Sequence, residues 1–256
     1  MPERPKMIKK YLFLLLALVL FPDGNSCLAY SNEDVAKVLQ GRDCPGGDLA
    51  GADLSGCDLR GRNFAGADFT QARLAKTKLD KANLQGACLR HALAPQVSLR
   101  QANLQGADLS YLQAFKGDFT NANLEGAQLY RVQVAGSNFL NGRLSNVQAQ
   151  EANFDLIKGD YADFKNANLP YSHWRRASLI KAIFTSANMY QADFTQAQLT
   201  TARLSSGKLG QAKFKEADLT EADLDLAILN KADLREATLT YTKFGKAFLK
   251  DALVDE

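Results

Sequence analysis

The five residues Gly51-Ala52-Asp53-Leu54-Ser55 recur in related form as Gln101-Ala102-Asn103-Leu104-Gln105, and the pattern continues almost to the end of the chain. Every fifth residue from Leu49 to Val254 occupies a central position, and of these 42 residues 24 are Leu and 10 are Phe. Two positions earlier, 27 of 41 residues are Ala. An amphipathic helix needs apolar residues about every 3.6 positions and a half-buried strand every 2, so a period of five favours neither. An unbroken short period instead indicates a repeat architecture.

The motif Ala-(Asp/Asn)-Leu-X-X resembles that of the pentapeptide-repeat family, from about Asp43 to the C-terminus. The resemblance implies an all-β fold, a right-handed quadrilateral parallel β-helix in which each pentapeptide forms one face and four faces make a 20-residue coil. The central and Ala positions then point inward, and the other three point outward. About ten coils at roughly 4.8 Å each predict a rod on the order of 50 Å long.

Two features of the sequence support a 20-residue coil independently. Asparagines recur at this spacing, at Asn63, Asn83, Asn103 and Asn123, and one face could therefore carry a hydrogen-bonded ladder of amides. Where the motif is broken, the two inward positions of a face also compensate each other in side-chain volume. Small central residues at Ala114, Ala149 and Gly159 follow large residues at Leu112, Val147 and Ile157. A close-packed interior requires such an exchange of large and small side chains.

The N-terminus has the pattern of a targeting segment. Lys9 and Lys10 precede an apolar run over residues 11–21 that is short for a bilayer span but typical of a secretory signal peptide. Small residues at Cys27 and Ala29 predict cleavage after Ala29, so that residues 1–29 form the signal peptide. The alternatives are lipidation of Cys27 or an uncleaved anchor, the two cases that would bring the chain to a membrane. We expect export to the periplasm, the thylakoid lumen or the cell exterior.

The two ends of the predicted rod differ. Residues 30–42 predict a capping helix from Ser31 to Gln40, with Ser31 or Asn32 as N-cap and Gly41 at its end. Its apolar residues, Val35, Val38 and Leu39, are expected to cover the first coil of a β-helix spanning residues 43–256. The C-terminal end has no such cap but carries Phe244, Phe248, Leu249 and Leu253. We predict a homodimer through this coil; the alternative is a frayed last coil protected by its acidic tail.

Cysteines flank the entrance to the coil. The stretch Cys44-Pro45-Gly46-Gly47-Asp48-Leu49 is similar to the Cys-Pro-X-Cys-Asp-Leu opening of exported pentapeptide-repeat proteins, but Gly47 stands where the second Cys would be. Cys57, two faces further on, also occupies an inward position. We predict a Cys44–Cys57 disulfide, with two buried free thiols as the alternative, because an exported compartment permits the bond. Cys88 falls on an outward position. No Cys/His spacing predicts a metal site.

The search for catalytic chemistry finds no motif. The histidines are His91 and His173, and the many Asp residues occupy an outward repeat position, where they are expected to bond nearby backbone. The sequence therefore predicts a protein that is not an enzyme and that needs no cofactor. The chain carries 31 Lys and Arg against 28 Asp and Glu, a net charge of +3. A nearly neutral protein lacks the strong basic patch expected of a nucleic-acid partner.

One face of the predicted rod collects an unusual set of outward residues. Four tyrosines share its turn positions, together with Arg90, His91 and Arg131; the tyrosines are Tyr111, Tyr130, Tyr171 and Tyr190. The next face begins with His173-Trp174-Arg175-Arg176, where Trp174 holds a central position and is expected inside. Tyr, Trp and Arg dominate binding hot spots. We predict a protein-docking surface made of Tyr111, Tyr130, Arg131, Tyr171, His173, Arg175, Arg176 and Tyr190; the alternative is clustering by chance.

The leading interpretation is a non-enzymatic exported scaffold or protein-binding module. One alternative is a secreted effector that acts in a host cell. Another is a topoisomerase inhibitor or protector that imitates DNA, as some members of the pentapeptide-repeat family do. The predicted signal peptide and the nearly neutral charge argue against DNA mimicry.

Overall fold

The five-residue period folds into a square coil because each pentapeptide ends in a tight turn. The computed structural model describes residues 31–255, so the predicted signal peptide and the lipidation alternative at Cys27 lie outside the described residues. At each turn the N–H of the inward small residue donates to the carbonyl of the preceding central residue, as in Ala52 to Leu49 at 3.0 Å. The residue just before the donor has a positive φ, 74° at Gly51 and 59° at Gln101. This combination is typical of a type II turn.

Successive coils pair in parallel with a register of 20 residues. Isolated β-bridges join the residue before each central position to its equivalent in the next coil, from Asp48↔Asp68 to Asp233↔Leu253. A typical face contributes three hydrogen bonds between coils: Leu104 N–H donates to Asn123 O at 2.6 Å, Gly106 N–H donates to Glu125 O at 3.0 Å, and Asn123 N–H donates to Ala102 O at 2.9 Å. The predicted right-handed quadrilateral β-helix with its 20-residue coil is confirmed.

The interior is filled by one large and one small side chain per face. Central residues such as Leu104 and Phe164 are fully buried, and so are the alanines two positions earlier. Equivalent rings from neighbouring coils stack on each other, with centroids 4.9 Å apart and planes at 2° for Phe164 and Phe184. Trp174 is fully buried among these stacked central side chains, as its central position predicted.

The predicted exchange of large and small side chains between the two inward positions is present where the motif breaks. Leu112 and Ala114 are both fully buried, so the larger side chain has moved to the usual Ala position. At Gly159 an added Cβ would lie 3.0 Å from Leu179 Cδ2 and 3.2 Å from Ile157 Cδ1. Ile157 therefore fills the space that a central Leu would take, and the backbone needs no glycine conformation there.

The predicted asparagine ladder also forms. Asn83 Nδ2 donates to Asn63 Oδ1 at 3.0 Å, Asn103 Nδ2 donates to Asn83 Oδ1 at 3.2 Å, and Asn123 Nδ2 donates to Asn103 Oδ1 at 3.4 Å. Asn63 Oδ1 also accepts from the backbone N–H of Ala65, two residues on. The ladder ties outward side chains of adjacent coils together and so adds to the rigidity of the rod.

Helix α1, Asn32–Leu39, closes the N-terminal end. Ser31 is its N-cap and accepts from Asp34 N at 3.2 Å. Val38 is buried and Val35 packs beside it, but Leu39 is 42% exposed. The prediction that Leu39 covers the first coil is wrong, because one helical step turns its side chain about 100° away from Val38.

Polar groups of α1 and its N-cap make hydrogen bonds to the first coil in place of those that a preceding coil would make. Asp34 Oδ2 accepts from the backbone N–H of Asp48 at 3.1 Å, and Ser31 N–H donates to Asp48 O at 3.1 Å. The hydrogen bond from Lys37, followed by the backbone hydrogen bond from Asp48, lowers the pKa of the Asp34 carboxyl. Asp34 is therefore ionised at neutral pH, which suits its role as an acceptor for an otherwise unpaired N–H.

Candidate functional site

The outward turn residues of successive coils stack in columns along the rod. We call one such edge the tyrosine edge: the turn residues at 90–91, 110–111, 130–131, 150–151, 170–171 and 190–191. Because the coil register is 20 residues, each pair lies directly over its equivalent in the next coil. The edge thus gathers aromatic side chains that are far apart in sequence.

In the N-terminal half of the tyrosine edge the aromatic rings pack on one another. The rings of His91 and Tyr111 stack with centroids 4.6 Å apart and planes at 9°. Tyr130 meets Tyr111 edge-on at 5.4 Å. The ring faces are therefore largely used within the protein, and a partner would meet their edges and polar atoms.

An ion pair continues this half of the edge. Arg131 lies over the Tyr130 ring at 5.1 Å from its centroid, and its Nη2 is 2.7 Å from Glu151 Oε2. Tyr130 Oη donates to Glu151 Oε1 at 3.3 Å. The hydrogen bond to Glu151 raises the pKa of Arg131, and burial raises the pKa of the Tyr130 hydroxyl. At neutral pH Arg131 is therefore charged and the Tyr130 hydroxyl keeps its proton.

The C-terminal half of the edge is built from tyrosines and amides. Tyr171 meets Tyr190 edge-on at 5.9 Å and is 48% exposed. Gln211 Nε2 donates to Tyr190 Oη at 2.8 Å and Gln191 Nε2 donates to Gln211 Oε1 at 2.7 Å. The Tyr190 ring also lies over Gly210, whose added Cβ would be 3.3 Å from Tyr190 Cδ2. Tyr190 is thus held in place, whereas Tyr171 faces solvent.

An open groove with a cavity volume of about 740 Å³ follows the tyrosine edge. Its lining comes from the edge and from the adjacent face: His91, Tyr111, Gln113, Arg131, Gln133, Glu151, Tyr171, His173 and Gln191. From the coil of His91 to that of Gln191 there are five coil spacings, about 24 Å. That length matches an extended segment of roughly seven residues. We call this feature the tyrosine groove.

The predicted surface residues fall into four places, three of them on or beside the tyrosine edge. Tyr111, Arg131, Tyr171 and His173 line the tyrosine groove. Tyr130 belongs to the same edge but does not line the groove. Tyr190, with Tyr171, lines a second groove of about 670 Å³ on the neighbouring face.

Arg175 and Arg176 lie on the next edge and not on the tyrosine edge. Arg175 Nη2 is 2.6 Å from Asp155 Oδ2, and this hydrogen bond raises the pKa of Arg175. Arg176 Nε donates to Gln196 Oε1 at 2.6 Å. Both guanidinium groups are bound to side chains on their own edge, so they do not line the tyrosine groove.

Sequence reasoning missed the polar half of the groove. Four polar residues of the lining were not predicted: Gln113, Gln133, Glu151 and Gln191. Gln and Glu are common at outward repeat positions, so their presence alone did not indicate a site. Their signal was positional: they occupy the two columns that also hold Tyr111, Tyr171 and His173. Sorting every polar residue by its place in the 20-residue coil would have found them.

The cysteines at the coil entrance are free thiols in the structure. Burial, together with the charge of Asp34, raises the pKa of Cys44, and burial followed by the charge of Asp53 raises that of Cys57. Both are therefore protonated and poorly nucleophilic at neutral pH. The Cys44–Cys57 disulfide stays a prediction. The outward Cys88 has its Sγ 3.2 Å from Thr70 Oγ1.

Gly47 lies against Cys44. A Cβ added at Gly47 would be 3.3 Å from Cys44 Cβ and would overlap its sulfur. Disulfides join Cβ atoms about 3.5–4.5 Å apart, so a Gly47→Cys variant should bond to Cys44 under oxidising conditions after a small shift. We expect peptide mapping to find a 44–47 link. The Gly47→Ala control cannot form a 44–47 link and should melt at a lower temperature, because its Cβ overlaps the Cys44 sulfur. A 47–57 link in Gly47→Cys, or the absence of a 44–47 link, would contradict this geometry.

Two further structural findings concern the described residues alone. Among residues 31–255 no three His, Cys, Asp or Glu side chains are grouped so that they could hold a metal ion. Within the same range the structure contains no helix with the length and apolar character needed to cross a membrane.

Comparison with known proteins places the fold in a family. The model of pentapeptide repeats matches eight copies within residues 48–114 and 160–253. HetL, a pentapeptide repeat protein involved in heterocyst differentiation regulation from the cyanobacterium Nostoc sp. strain PCC 7120, is 26% identical with a TM-score of 0.51. That alignment covers 88% of this chain and 97% of HetL.

More distant structures are also similar. Full-length QnrB1, a plasmid-mediated fluoroquinolone resistance protein, is 14% identical over 74% of this chain and 94% of its own, with a TM-score of 0.28. A pentapeptide repeat protein from the Arabidopsis thaliana thylakoid lumen is 21% identical over 57% of this chain and 70% of its own, with a TM-score of 0.20. Comparison with curated protein sequences gives no match. With more than half of its residues matched by the family model, the chain belongs to the pentapeptide-repeat family.

Proposed function

We propose that this protein is a rigid, exported binding module that docks an extended segment of a partner protein in the tyrosine groove. The observation that carries the proposal is the groove itself. Aromatic, amide and paired charged side chains from six successive coils line one continuous depression on the surface of the rod. Each coil is fixed to the next by hydrogen bonds on all four faces, so the groove is formed before any partner binds.

The chemistry of the lining suits a peptide main chain. Gln113 offers an amide donor and an amide acceptor, the two kinds of group that peptide bonds require. Gln133 and Gln191 already donate one N–H each, to Arg131 O and Gln211 Oε1, and each amide nitrogen keeps a second N–H for a ligand. Tyr111 and Tyr171 add apolar ring edges with polar hydroxyls, a combination frequent in binding hot spots. Because Arg131 is already paired with Glu151, the groove does not call for a strongly charged ligand.

The same contacts favour binding over catalysis. Pentapeptide repeat proteins are generally structural or binding modules. In the groove His91 is stacked on Tyr111, and Glu151 is committed to Arg131 and Tyr130. These contacts fix the conformation of the surface. A general acid or base would instead need to be within reach of a substrate proton.

Two further observations support the place and type of action. The signal-peptide pattern of residues 1–29 supports export to the periplasm, the thylakoid lumen or the cell exterior. The likeness to HetL, a protein involved in regulating heterocyst differentiation, supports a regulatory role.

Capture from the host's cell envelope tests the proposal. The docking variant is Tyr111→Ala/Tyr171→Ala/His173→Ala, which removes the half-buried Tyr111 and the exposed Tyr171 and His173 but no core residue. We expect the amount of the partner captured by the wild-type protein to fall at least tenfold, since each anchor contributes about 1 kcal/mol or more. The matched control is Tyr161→Ala/Lys181→Ala/Thr201→Ala, three neighbouring turn residues on a different edge. Equal capture by wild type and docking variant, with both folded, would refute the docking role.

A further inference from the structure

The second groove, on the neighbouring face, differs from the tyrosine groove in charge. Its lining includes Tyr171, Asn188, Tyr190, Lys208, Ile228 and Lys231. No Asp or Glu lines it, so the lining is positively charged. Within residues 31–255 neither lysine belongs to an ion pair. Asp233, two residues after Lys231, is instead bound to Arg235 at 2.8 Å. We call this feature the lysine groove.

Lys208 stands where the repeat usually has Asp or Asn. The same column of the coil holds Asp48, Asp68 and Asp108 in its N-terminal half. There the carboxylate accepts from the backbone N–H two residues on, as Asp108 does from Ser110 at 2.9 Å. A lysine side chain has no acceptor, so this hydrogen bond is lost at Lys208. A break in a local rule of the fold is typical of a functional position.

The hydrogen-bond acceptors of the lysine groove are already used within the protein. Asn188 Oδ1 and Asn230 Oδ1 each accept a backbone N–H, at 3.4 and 3.2 Å. Gln211 Oε1 accepts from a side-chain amide at 2.7 Å. The backbone carbonyls of Tyr190 and Gly210 accept from the preceding coil, both at 2.9 Å. A ligand in this groove therefore meets few acceptors that are still unused.

The donors of the lysine groove, in contrast, are available to a ligand. In the part of the chain that the structure describes, the ammonium groups of Lys208 and Lys231 and the Nδ2 of Asn230 donate to no protein acceptor. Tyr190 Oη accepts from Gln211 Nε2 at 2.8 Å and keeps its own O–H for a ligand. A site with many donors and few acceptors suits anionic oxygens. A peptide main chain suits it less, because its N–H groups would lack partners.

Apolar surface lies beside these donors. Tyr171 is 48% exposed and Ile228 is 38% exposed, and Pro170 also lines the groove. Ile228 is the β-bridge partner of Lys208 in the next coil, so an apolar and a cationic side chain are neighbours on one face. Small-molecule sites combine apolar walls with a few placed polar groups in this way. The lysine groove thus offers surface for an apolar body next to an anionic group.

We infer that the lysine groove binds a small organic anion, a carboxylate or phosphate group attached to an apolar body. The anionic oxygens accept from Lys208, Lys231 and Asn230, and the apolar body covers Tyr171 and Ile228. This inference goes beyond the proposed partner protein. Tyr171 is shared by both grooves, but neither lysine lines the tyrosine groove.

An NMR titration of the protein, in the form that its host makes, tests this site with two probes. Phenyl phosphate and phenylacetate each carry an aromatic ring and an oxyanion, and the tighter binder shows which oxyanion the site prefers. We expect saturable shifts of the backbone amide signals of Asn188, Gly210 and Gln211. The dissociation constant should be on the order of millimolar for ligands of this size.

A pair of lysine variants locates the bound anion. Lys208→Ala/Lys231→Ala should weaken binding of the tighter probe about tenfold or more, because it removes both cations. The matched control, Lys78→Ala/Lys158→Ala, removes two exposed lysines from a different face and should leave the dissociation constant within about twofold of wild type. All four lysines are exposed, so circular dichroism should show the same fold for both variants.

Three results would overturn the inference. The absence of saturable shifts in the millimolar range excludes the site. Equally tight binding of benzyl alcohol, which has the ring but no charge, excludes an oxyanion site. Binding that is unchanged in Lys208→Ala/Lys231→Ala places the anion elsewhere. The lysine variant should leave capture of the partner by the tyrosine groove unchanged, so the two proposals can fail separately.

Discussion

Replacing Trp174 with alanine is expected to lower the free energy of unfolding by about 3–5 kcal/mol, the cost of removing a large buried aromatic side chain. The indole is fully buried and stacks against Phe154 at 4.3 Å between centroids. It also meets the rings of Phe164 and Phe184 edge-on at 5.1 and 5.5 Å. No neighbour can collapse into the space, because the coils above and below are fixed by their own hydrogen bonds.

The measurement is chemical unfolding followed by circular dichroism. Trp174→Phe should cost clearly less than Trp174→Ala, since Phe fills most central positions that are not Leu. It still loses one hydrogen bond, because Trp174 Nε1 donates to Ser172 Oγ at 2.7 Å. Tyr161→Ala, at an exposed turn, serves as the control and should change stability by no more than about 0.5 kcal/mol. A loss below about 1 kcal/mol for Trp174→Ala would mean that the tube is not close-packed there.

Replacing Gly159 with leucine is expected to destabilise the protein by about 1–3 kcal/mol or more, although it restores the commonest residue of the repeat. The reason is that Ile157 already occupies the space: a Cβ at position 159 would be 3.2 Å from Ile157 Cδ1 and 3.0 Å from Leu179 Cδ2. Ile157→Ala alone should cost about 2–5 kcal/mol, since it leaves a cavity.

The double variant Ile157→Ala/Gly159→Leu should recover most of the lost stability. It recreates the Ala-X-Leu arrangement of ordinary faces, so the two substitutions compensate in volume. The expected coupling free energy from the double-mutant cycle is more than about 1 kcal/mol. Simple addition of the two single losses would contradict the exchange of volumes.

Most of the fold could be predicted because one physical rule governs the whole chain. In a square coil the position of a residue within the pentapeptide decides whether its side chain points inward, so Trp174 could be placed inside and Tyr171 outside from counting alone. The 20-residue spacing of Asn63 and Asn83 likewise gave the register. Leu39, the last residue of α1, was predicted wrongly to be covered, because counting within a short helix does not show how far the covered stripe extends.

The candidate site was less predictable. Counting places Arg175 on an outward position, but its pairing with Asp155 depends on side-chain conformation across two coils. The stacking of His91 on Tyr111 depends on the same choices. Columns of residues can therefore be predicted from the sequence. The side-chain contacts within a column can be identified only from the three-dimensional structure.

The most direct test of the docking role is photo-cross-linking from single positions in the living host. A photoreactive phenylalanine analogue replaces Tyr171 or His173 in the groove, or Tyr161 on a different edge as control. Tyr161 and Tyr171 are similarly exposed, at 50% and 48%. We predict that irradiation yields an adduct with the same protein from both groove positions and no such adduct from position 161. Adducts of equal yield from position 161, or none from either groove position, would contradict a partner in the tyrosine groove.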